Sequence, residues 1–258
     1  MATILVMTVV AIGCGDDDDD EGAAGSGSGI RTIKSGVLTV CSDIPYAPFE
    51  FEEGGKSVGI DLDLVAAIAS DLGLRAEVKD TDFDGIFAAL AARQCDLIAS
   101  SVSITDERKQ SNEFTQGYYE IQQSLLVRKA DAALYNSLDA LKGRTIGVQS
   151  ETTGEAYAQS AATGATIKSF TGADELFTAL KAGQIDGVVQ DYPVNAYNAT
   201  HGGDTTVSAR FQTEPEQYGF VIKKGNVALR DAVDASLSKI RSSGQYDEIL
   251  RRYLGAAP

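Results

Sequence analysis

Four short polar stretches hold the side chains that could do chemistry: Asp43-Ile44-Pro45-Tyr46, Ser100 to Arg108, Gln149 to Gly154, and Gln190-Asp191. Arg108 carries a planar fork that can grip a carboxylate with two parallel hydrogen bonds. The hydroxyls of Ser101, Ser103 and Thr153 can complete the shell of such an anion, and Asp191 can hold an ammonium group. Tyr46 and Phe83 offer π faces that suit a cation or a planar amide. Asp43, Ser100, Gln149 and Gln190 can add polar contacts beside them. Such a set suits a small molecule bearing both signs, because each of its polar groups needs a partner once water is removed. It does not assemble a reaction centre. The sole histidine, His201, sits in a Gly-rich segment, no Gly-x-Ser-x-Gly turn occurs, and no metal-ligand constellation is visible. No catalytic residue, metal or cofactor is expected.

Each residue also has a plainer reading. Arg108 lies in Thr105-Asp106-Glu107-Arg108-Lys109, a solvated helix start. Asp191 precedes Tyr192-Pro193 and can cap a helix. Phe83 can be core, and Asp43 before Pro45 can be a turn residue.

An internal repeat indicates what positions these stretches. Asp84, Phe87, Ala89, Leu90, Ala92, Gln94 and Asp96 recur as Asp174, Phe177, Ala179, Leu180, Ala182, Gln184 and Asp186, always 90 positions on. Each copy predicts an amphipathic helix running into a short apolar strand, Leu97–Ala99 and Gly187–Val189. Each is preceded by a strand, loop and helix: Val37–Val40 with a helix over Asp61–Leu72, and Arg144–Val148 with a helix over Glu155–Ala162. Two βαβαβ units predict an α/β fold of two lobes with mainly parallel sheets, in which ligands gather at the carboxyl ends of the strands. That rule selects the four polar stretches. The end of the chain adds a strand at Phe220–Ile222, a long helix with Leu229, Ala232, Val233, Ser236, Leu237 and Ile240 on one stripe, and a short final helix. The expected division is 1–29 leader and tether, 30–117 plus 219–258 as one lobe, and 118–218 as the other. Hinge crossings fall near Gly117–Tyr119 and Glu216–Tyr218.

The formal charge of −15 argues against nucleic acid, which needs clustered Lys and Arg. Six of the acids form one run, Asp16–Glu21; without them the chain carries −9, an ordinary acidic surface. Met1–Ile12 is apolar but too short to span a bilayer. It has the length of a signal-peptide core, although no Lys or Arg precedes Arg31. Val10-Ala11-Ile12-Gly13-Cys14 resembles a bacterial lipoprotein cleavage box, which implies lipidation at Cys14, and Gly15–Gly29 reads as a tether. This places the folded body outside the cytoplasm, with a lipid anchor as its only membrane contact. Cys41 and Cys95 lie beside apolar strands, where free buried cysteine is common, and are expected not to pair.

The motifs also carry a family resemblance. Ser42-Asp43-Ile44-Pro45-Tyr46-Ala47-Pro48-Phe49-Glu50-Phe51, Val58-Gly59-Ile60-Asp61-Leu62-Asp63-Leu64, Asp82-Phe83-Asp84, Ser100 to Arg108, Gln190-Asp191, Gln217-Tyr218-Gly219 and Gly244 to Ile249 occur in order. Together they resemble the polar amino acid binding proteins of ABC importers, bacterial solute-binding protein family 3, over about residues 36 to 254. The resemblance implies a two-lobed type II periplasmic-binding-protein fold, a free L-amino acid as ligand, an ABC transporter permease as partner, and a monomer. It assigns Arg108, Ser101, Ser103 and Thr153 to the ligand carboxylate and Asp191 to its ammonium. Asp43, Tyr46, Phe83, Ser100, Gln149 and Gln190 are assigned to its side chain. Asp43, Asp191 and Arg108 sum to −1, so a neutral zwitterion would leave one carboxylate unmatched in a closed cleft. In glutamine-binding relatives the positions of Gln149 and Gln190 are Lys and His. In lysine/arginine/ornithine-binding relatives the serine run and the Gln-Asp pair look as they do here. Arginine or lysine is therefore preferred, with ornithine of the same type and glutamine the alternative. A dehydratase or a receptor sensing domain on the same fold are the readings from other classes.

Overall fold

The computed structural model describes residues 30–255. Cys14 and the tether lie outside the described residues. The first lobe opens with β1 (Val37–Ser42), a hairpin of β2 (Phe51–Glu53) and β3 (Lys56–Val58), α1 (Ile60–Asp71), β4 (Arg75–Asp80), α2 (Phe83–Ala91), β5 (Leu97–Ile98), α3 (Asp106–Ser111) and β6 (Asn112–Phe114). After β7 (Tyr119–Ile121) come β8 (Gln123–Arg128), β9 (Thr145–Gln149), α4 (Thr153–Ala161), β10 (Thr166–Phe170), α5 (Ala173–Lys181), β11 (Gly187–Asp191), α6 (Tyr192–His201) and β12 (Thr205–Arg210). The chain returns through β13 (Glu216–Tyr218) to β14 (Val221–Lys223), α7 (Val227–Ser242) and α8 (Gln245–Leu254).

These strands build two five-stranded sheets, ordered β4-β1-β5-β14-β6 and β10-β9-β11-β8-β12. In each, three strands are parallel, as the repeat predicts, and two more join through antiparallel pairings, so that only the fourth strand runs against the rest. The two passages between the sheets pair with each other: Tyr218 opposes Tyr119 and Glu216 opposes Ile121.

Helices cover both faces of each sheet. The stripe on α7 buries Leu229, Val233, Leu237 and Ile240 completely or nearly so. Each contributes about 1.5–3 kcal/mol, which fixes the face that α7 presents to α1. On the opposite face Phe83, Ile86 and Leu90 of α2 pack on Ile98 and Val221.

The repeat proves to be a shared latch. Asp96 accepts hydrogen bonds from the N–H groups of Ile33 and Thr39 (2.8 and 2.9 Å), and Asp186 accepts from Thr145 N–H (2.9 Å). In return, each Asp N–H donates to the carbonyl of that Thr (2.8 and 2.7 Å). The acid thus locks the strand after each repeated helix to the first strand of its lobe.

One expectation is overturned. Cys41 and Cys95 are joined by a disulfide, with Cα atoms 5.7 Å apart. Cys41 lies at the end of β1 and Cys95 on the turn into β5. The parallel pairing of those strands brings two residues 54 apart in sequence into contact, a proximity that no local pattern reveals.

Candidate functional site

The carboxyl ends of β1, β5, β9 and β11 face one another across a small cleft. It is lined by Tyr46, Phe83, Ser100, Ser101, Ser103 and Arg108 from the first lobe and by Gln149, Thr152, Thr153 and Asp191 from the second. The cavity left among these side chains is about 20 Å³, room for roughly one water, so the two lobes stand nearly closed on each other.

Asp191 ends β11 and is buried. Its Oδ2 accepts from Tyr46 OH (2.8 Å) and Tyr218 OH (2.5 Å), and its Oδ1 from Gln123 Nε2 (2.6 Å). Burial, with Glu216 nearby, raises its carboxyl to about 6, against the three donors that favour the anion. Tyr46 therefore does more than offer a ring, since it carries the first lobe's contact to this acid.

Arg108 sits in the first turn of α3, where Thr105 caps its N–H (3.1 Å). Its guanidinium swings back into the cleft, donating from Nη1 to Ser103 O (2.9 Å) and from Nη2 to Glu151 O (2.8 Å) across the lobes. Of its five N–H groups, three stay free for a carboxylate. The rings of Phe83 and Phe87 lie 5.6 and 5.4 Å from its central carbon, so Phe83 is a wall of the cleft and a support for the cation. Burial lowers the guanidinium's affinity for its proton, and Glu216 and Asp191 oppose that loss.

Asp43 is not itself among the cleft-lining residues and stands behind one of them, Gln149. Its Oδ2 accepts from Gln149 Nε2 (2.6 Å), which also donates to Thr171 O (3.0 Å). Burial pushes the Asp43 carboxyl up to about 7, opposed by the Gln149 hydrogen bond and reinforced by Asp82, Asp80 and Asp174. Ser103 Oγ lies 3.5 Å from Thr153 Oγ1, closing the cleft beside Arg108.

Two residues sit differently from their expected roles. Ser101 lines the cleft but also turns to buried acids behind it, its N–H donating to Asp61 Oδ2 (2.8 Å) and its Oγ lying 3.3 Å from Glu50 Oε2. Its backbone is left-handed, φ +50°, as is that of Glu151 at +62°, a conformation costing a non-glycine residue about 1–3 kcal/mol and concentrated at binding sites. Gln190 is buried but is not among the cleft-lining residues; its carbonyl accepts from Ser124 Oγ (2.9 Å).

Sequence reasoning passed over Thr152, Gln123, Glu50, Asp61 and Glu216. Thr152 caps α4 through Glu155 N–H (3.1 Å). Gln123 bridges Asp191, Glu216 (3.2 Å) and Thr153 (3.3 Å). Glu50, between Phe49 and Phe51, carries the one available signal, an acid inside an apolar run. His201 lies on the exposed end of α6, stacked on Tyr197 at 3.9 Å between centroids, and does not line the cleft.

Similar proteins share this architecture. A probable histidine-binding protein of Neisseria gonorrhoeae is 34% identical over 225 residues, covering 84% of this chain and 82% of its own. An ancestral arginine-binding protein bound to arginine superposes with a TM-score of 0.80 at 35% identity, covering 85% of this chain and 99% of its own; bound to glutamine it gives 0.81, also at 35%, with 86% and 99% covered. An ancestral amino acid-binding protein, a precursor of cyclohexadienyl dehydratase, gives 0.79 at 33%, with 84% and 95% covered. Residues 38–256 match one family description across both lobes, and the chain belongs to the bacterial extracellular solute-binding proteins, family 3.

Proposed function

We propose that this protein captures a free cationic amino acid, arginine or lysine in type, outside the cytoplasm and delivers it to an ABC transporter permease. The observation that carries the reading is the set of charges at the cleft: Arg108 and Asp191 in its lining, and Asp43 just behind it, where among the described residues its carboxylate is held only by the amide of the lining residue Gln149. Arg108 takes the ligand carboxylate, helped by Ser103 and Thr153. Asp191 takes the ammonium. Tyr46 and Phe83 flank the side chain, and Asp43 meets its distal cation. Relatives that bind arginine or histidine support the class.

The second reading is glutamine. A glutamine-bound relative favours it, and Asp43 carrying its proton could donate to a neutral amide. Catalysis is not part of the proposal, because the relatives it rests on are amino acid-binding proteins. Mass spectrometry of ligand carried through purification, followed by calorimetry with arginine, lysine and glutamine, tests the assignment. Arginine or lysine should bind most tightly; tighter glutamine binding would replace the first reading with the second, and conversion of prephenate would restore an enzyme.

Two further parts belong to the same proposal. Residues 30–117 with 219–258, and 118–218, act as bodies that close about the paired crossings; small-angle scattering should contract on ligand addition, and an unchanged profile would contradict closure. Lipidation at Cys14 holds the protein at the membrane, so Cys14→Ser should move it to the soluble fraction, and unchanged partitioning would contradict the anchor. Among the described residues no helix is long and apolar enough to cross a membrane.

A further inference from the structure

Two buried acids behind the cleft have no part in the proposed function. Glu50 and Asp61 are both 0% exposed, and every hydrogen-bond partner of their carboxyls among the described residues is neutral. The backbone forces them together. The N–H groups of Ile60 and Asp61, opening α1, donate to the carbonyls of Pro48 and Phe49 (3.1 and 3.0 Å). The approach is so close that a Cβ on Gly59, whose φ is +136°, would lie 2.0 Å from Phe49 O.

Between them the acids hold the serines that line the cleft. Ser100 Oγ accepts from Asp43 N–H (2.9 Å) and donates to Glu50 Oε1 (3.2 Å). Asp61 Oδ2 accepts from Ser101 N–H (2.8 Å) and from Tyr118 OH (2.6 Å), at the passage between lobes. The titratable groups facing Glu50 are Asp61, Asp43, Tyr46 and Tyr118, with no cation among them. Two carboxylates so placed cannot both ionise. Burial and then the Asp61 charge push Glu50 well above the usual carboxylate range. Burial raises Asp61 to about 7, against the Tyr118 and Ser101 donors.

We propose that Glu50 is a positioning residue of the cleft, the protonated member of a pair that shares one negative charge with Asp61. Asp61 is the anion, because its two donors are fixed. Glu50 Oε2–H then donates to Ser101 Oγ, 3.3 Å away, while Oε1 accepts from Ser100. The hydroxyl hydrogen of Ser101 is thereby released toward the cleft and the carboxylate that Arg108 grips. An ionised Glu50 would consume both serine hydrogens. This inference rests on the amino-acid reading above.

The test compares Glu50→Gln with Glu50→Leu, reading arginine affinity by calorimetry and the carboxylic-acid C=O stretch by infrared spectroscopy at pH 7. An amide reproduces the proposed pattern, with Nε2 donating to Ser101 and Oε1 accepting from Ser100. Glu50→Gln should bind arginine within about threefold of the wild type, and Glu50→Leu should lose about 10- to 100-fold. The stretch of protonated carboxylic acid should be weaker in Glu50→Gln than in the wild type, by the Glu50 share of a band to which Asp43 and Asp61 also contribute at this pH. Equal losses in the two variants, a Glu50→Leu variant that binds normally, or an acid band unaffected by Glu50→Gln would overturn the proposal. Should Glu50→Leu fail to fold, the Glu50→Gln affinity and the band decide the matter. A wild type that binds no amino acid would sink the proposed function, and the positioning role with it, while leaving the Glu50 band in place.

Discussion

The two lobes solve one structural problem twice and diverge where the cleft begins. The Asp latch and strand pairing align Thr39, Cys41 and Asp43 with Thr145, Gly147 and Gln149, and Cys95, Ser100 and Ser101 with Ile185, Gln190 and Asp191. The latch is the same in both. Just beyond it the first lobe has the Cys41–Cys95 disulfide. The second has Ile185 packed onto Gly147, whose missing Cβ would lie 2.5 Å from the Ile185 Cδ1. One junction is closed by a covalent bond and the other by filling a glycine gap. At the strand ends the equivalent residues Asp43 and Gln149 meet across the cleft at 2.6 Å. Ser101 answers to Asp191, so in the proposed function the carboxylate end and the ammonium end would arise from equivalent positions given different chemistry. The scaffold can stay symmetric because the cleft is lined from the strand ends and the loops and helix starts just beyond them, where the two lobes differ.

The comparison breaks first at Arg108, which has no counterpart in the second lobe's half of the site. Arg108→Ala should weaken arginine, lysine and glutamine alike by about 2–5 kcal/mol, roughly 30- to 5000-fold, as calorimetry would show. Normal binding would remove the carboxylate end from the first lobe. The junctions come next. Cys41→Ala with Cys95→Ala should lower stability by about 2–4 kcal/mol, seen in denaturant unfolding. Cys41→Gly with Cys95→Ile, which copies the second lobe, should recover part of that loss, and no recovery would mean that the junctions are not interchangeable.

Proton linkage sharpens the contrast between Asp43 and its equivalent Gln149, which cannot titrate. Burial raises Asp43 to about 7, so it is ionised above that pH and carries a proton below it. A cationic side chain needs the ionised form. Arginine affinity should therefore fall as pH drops from 8 to 6, by about tenfold more than glutamine affinity, while the shared loss near pH 6 comes from Asp191. Parallel pH profiles for the two ligands would contradict this. The smallest effect concerns the ends of the repeated helices, where Gly183 has φ +70° and its equivalent Arg93 has φ +58°. Arg93→Gly should stabilise the first lobe by about 0.5–1 kcal/mol, measured as a rise in melting temperature.

Much of this was legible in the sequence for physical reasons. The repeat was readable because Phe and Leu three apart define one helix face and the following Asp must satisfy strand N–H groups in both lobes. The strand-end rule then selected the loops that bring Arg108, Asp191 and Gln149 to the cleft lining, while the family resemblance, not the rule, set Arg108 apart from a solvated helix start. The disulfide was not readable, because the Cys41–Cys95 contact depends on the pairing of β1 with β5 and not on local pattern. Nor were the inward turn of Ser101 and the burial of Glu50 and Asp61, which follow from the close approach at Gly59. Gln190 was assigned a ligand contact through the family resemblance, yet it adjoins Asp191 on β11, and strand alternation sends adjacent side chains to opposite faces.

The central claim is that Asp43 meets a cationic side chain while Arg108 and Asp191 hold what every amino acid carries. Calorimetry at pH 8 on Asp43→Asn with arginine, lysine and glutamine tests it directly. Arginine and lysine should weaken by about tenfold or more, and glutamine by about threefold or less, because only the cations lose a charge partner. Equal weakening of arginine and glutamine would contradict the account and reduce Asp43 to a structural partner of Gln149.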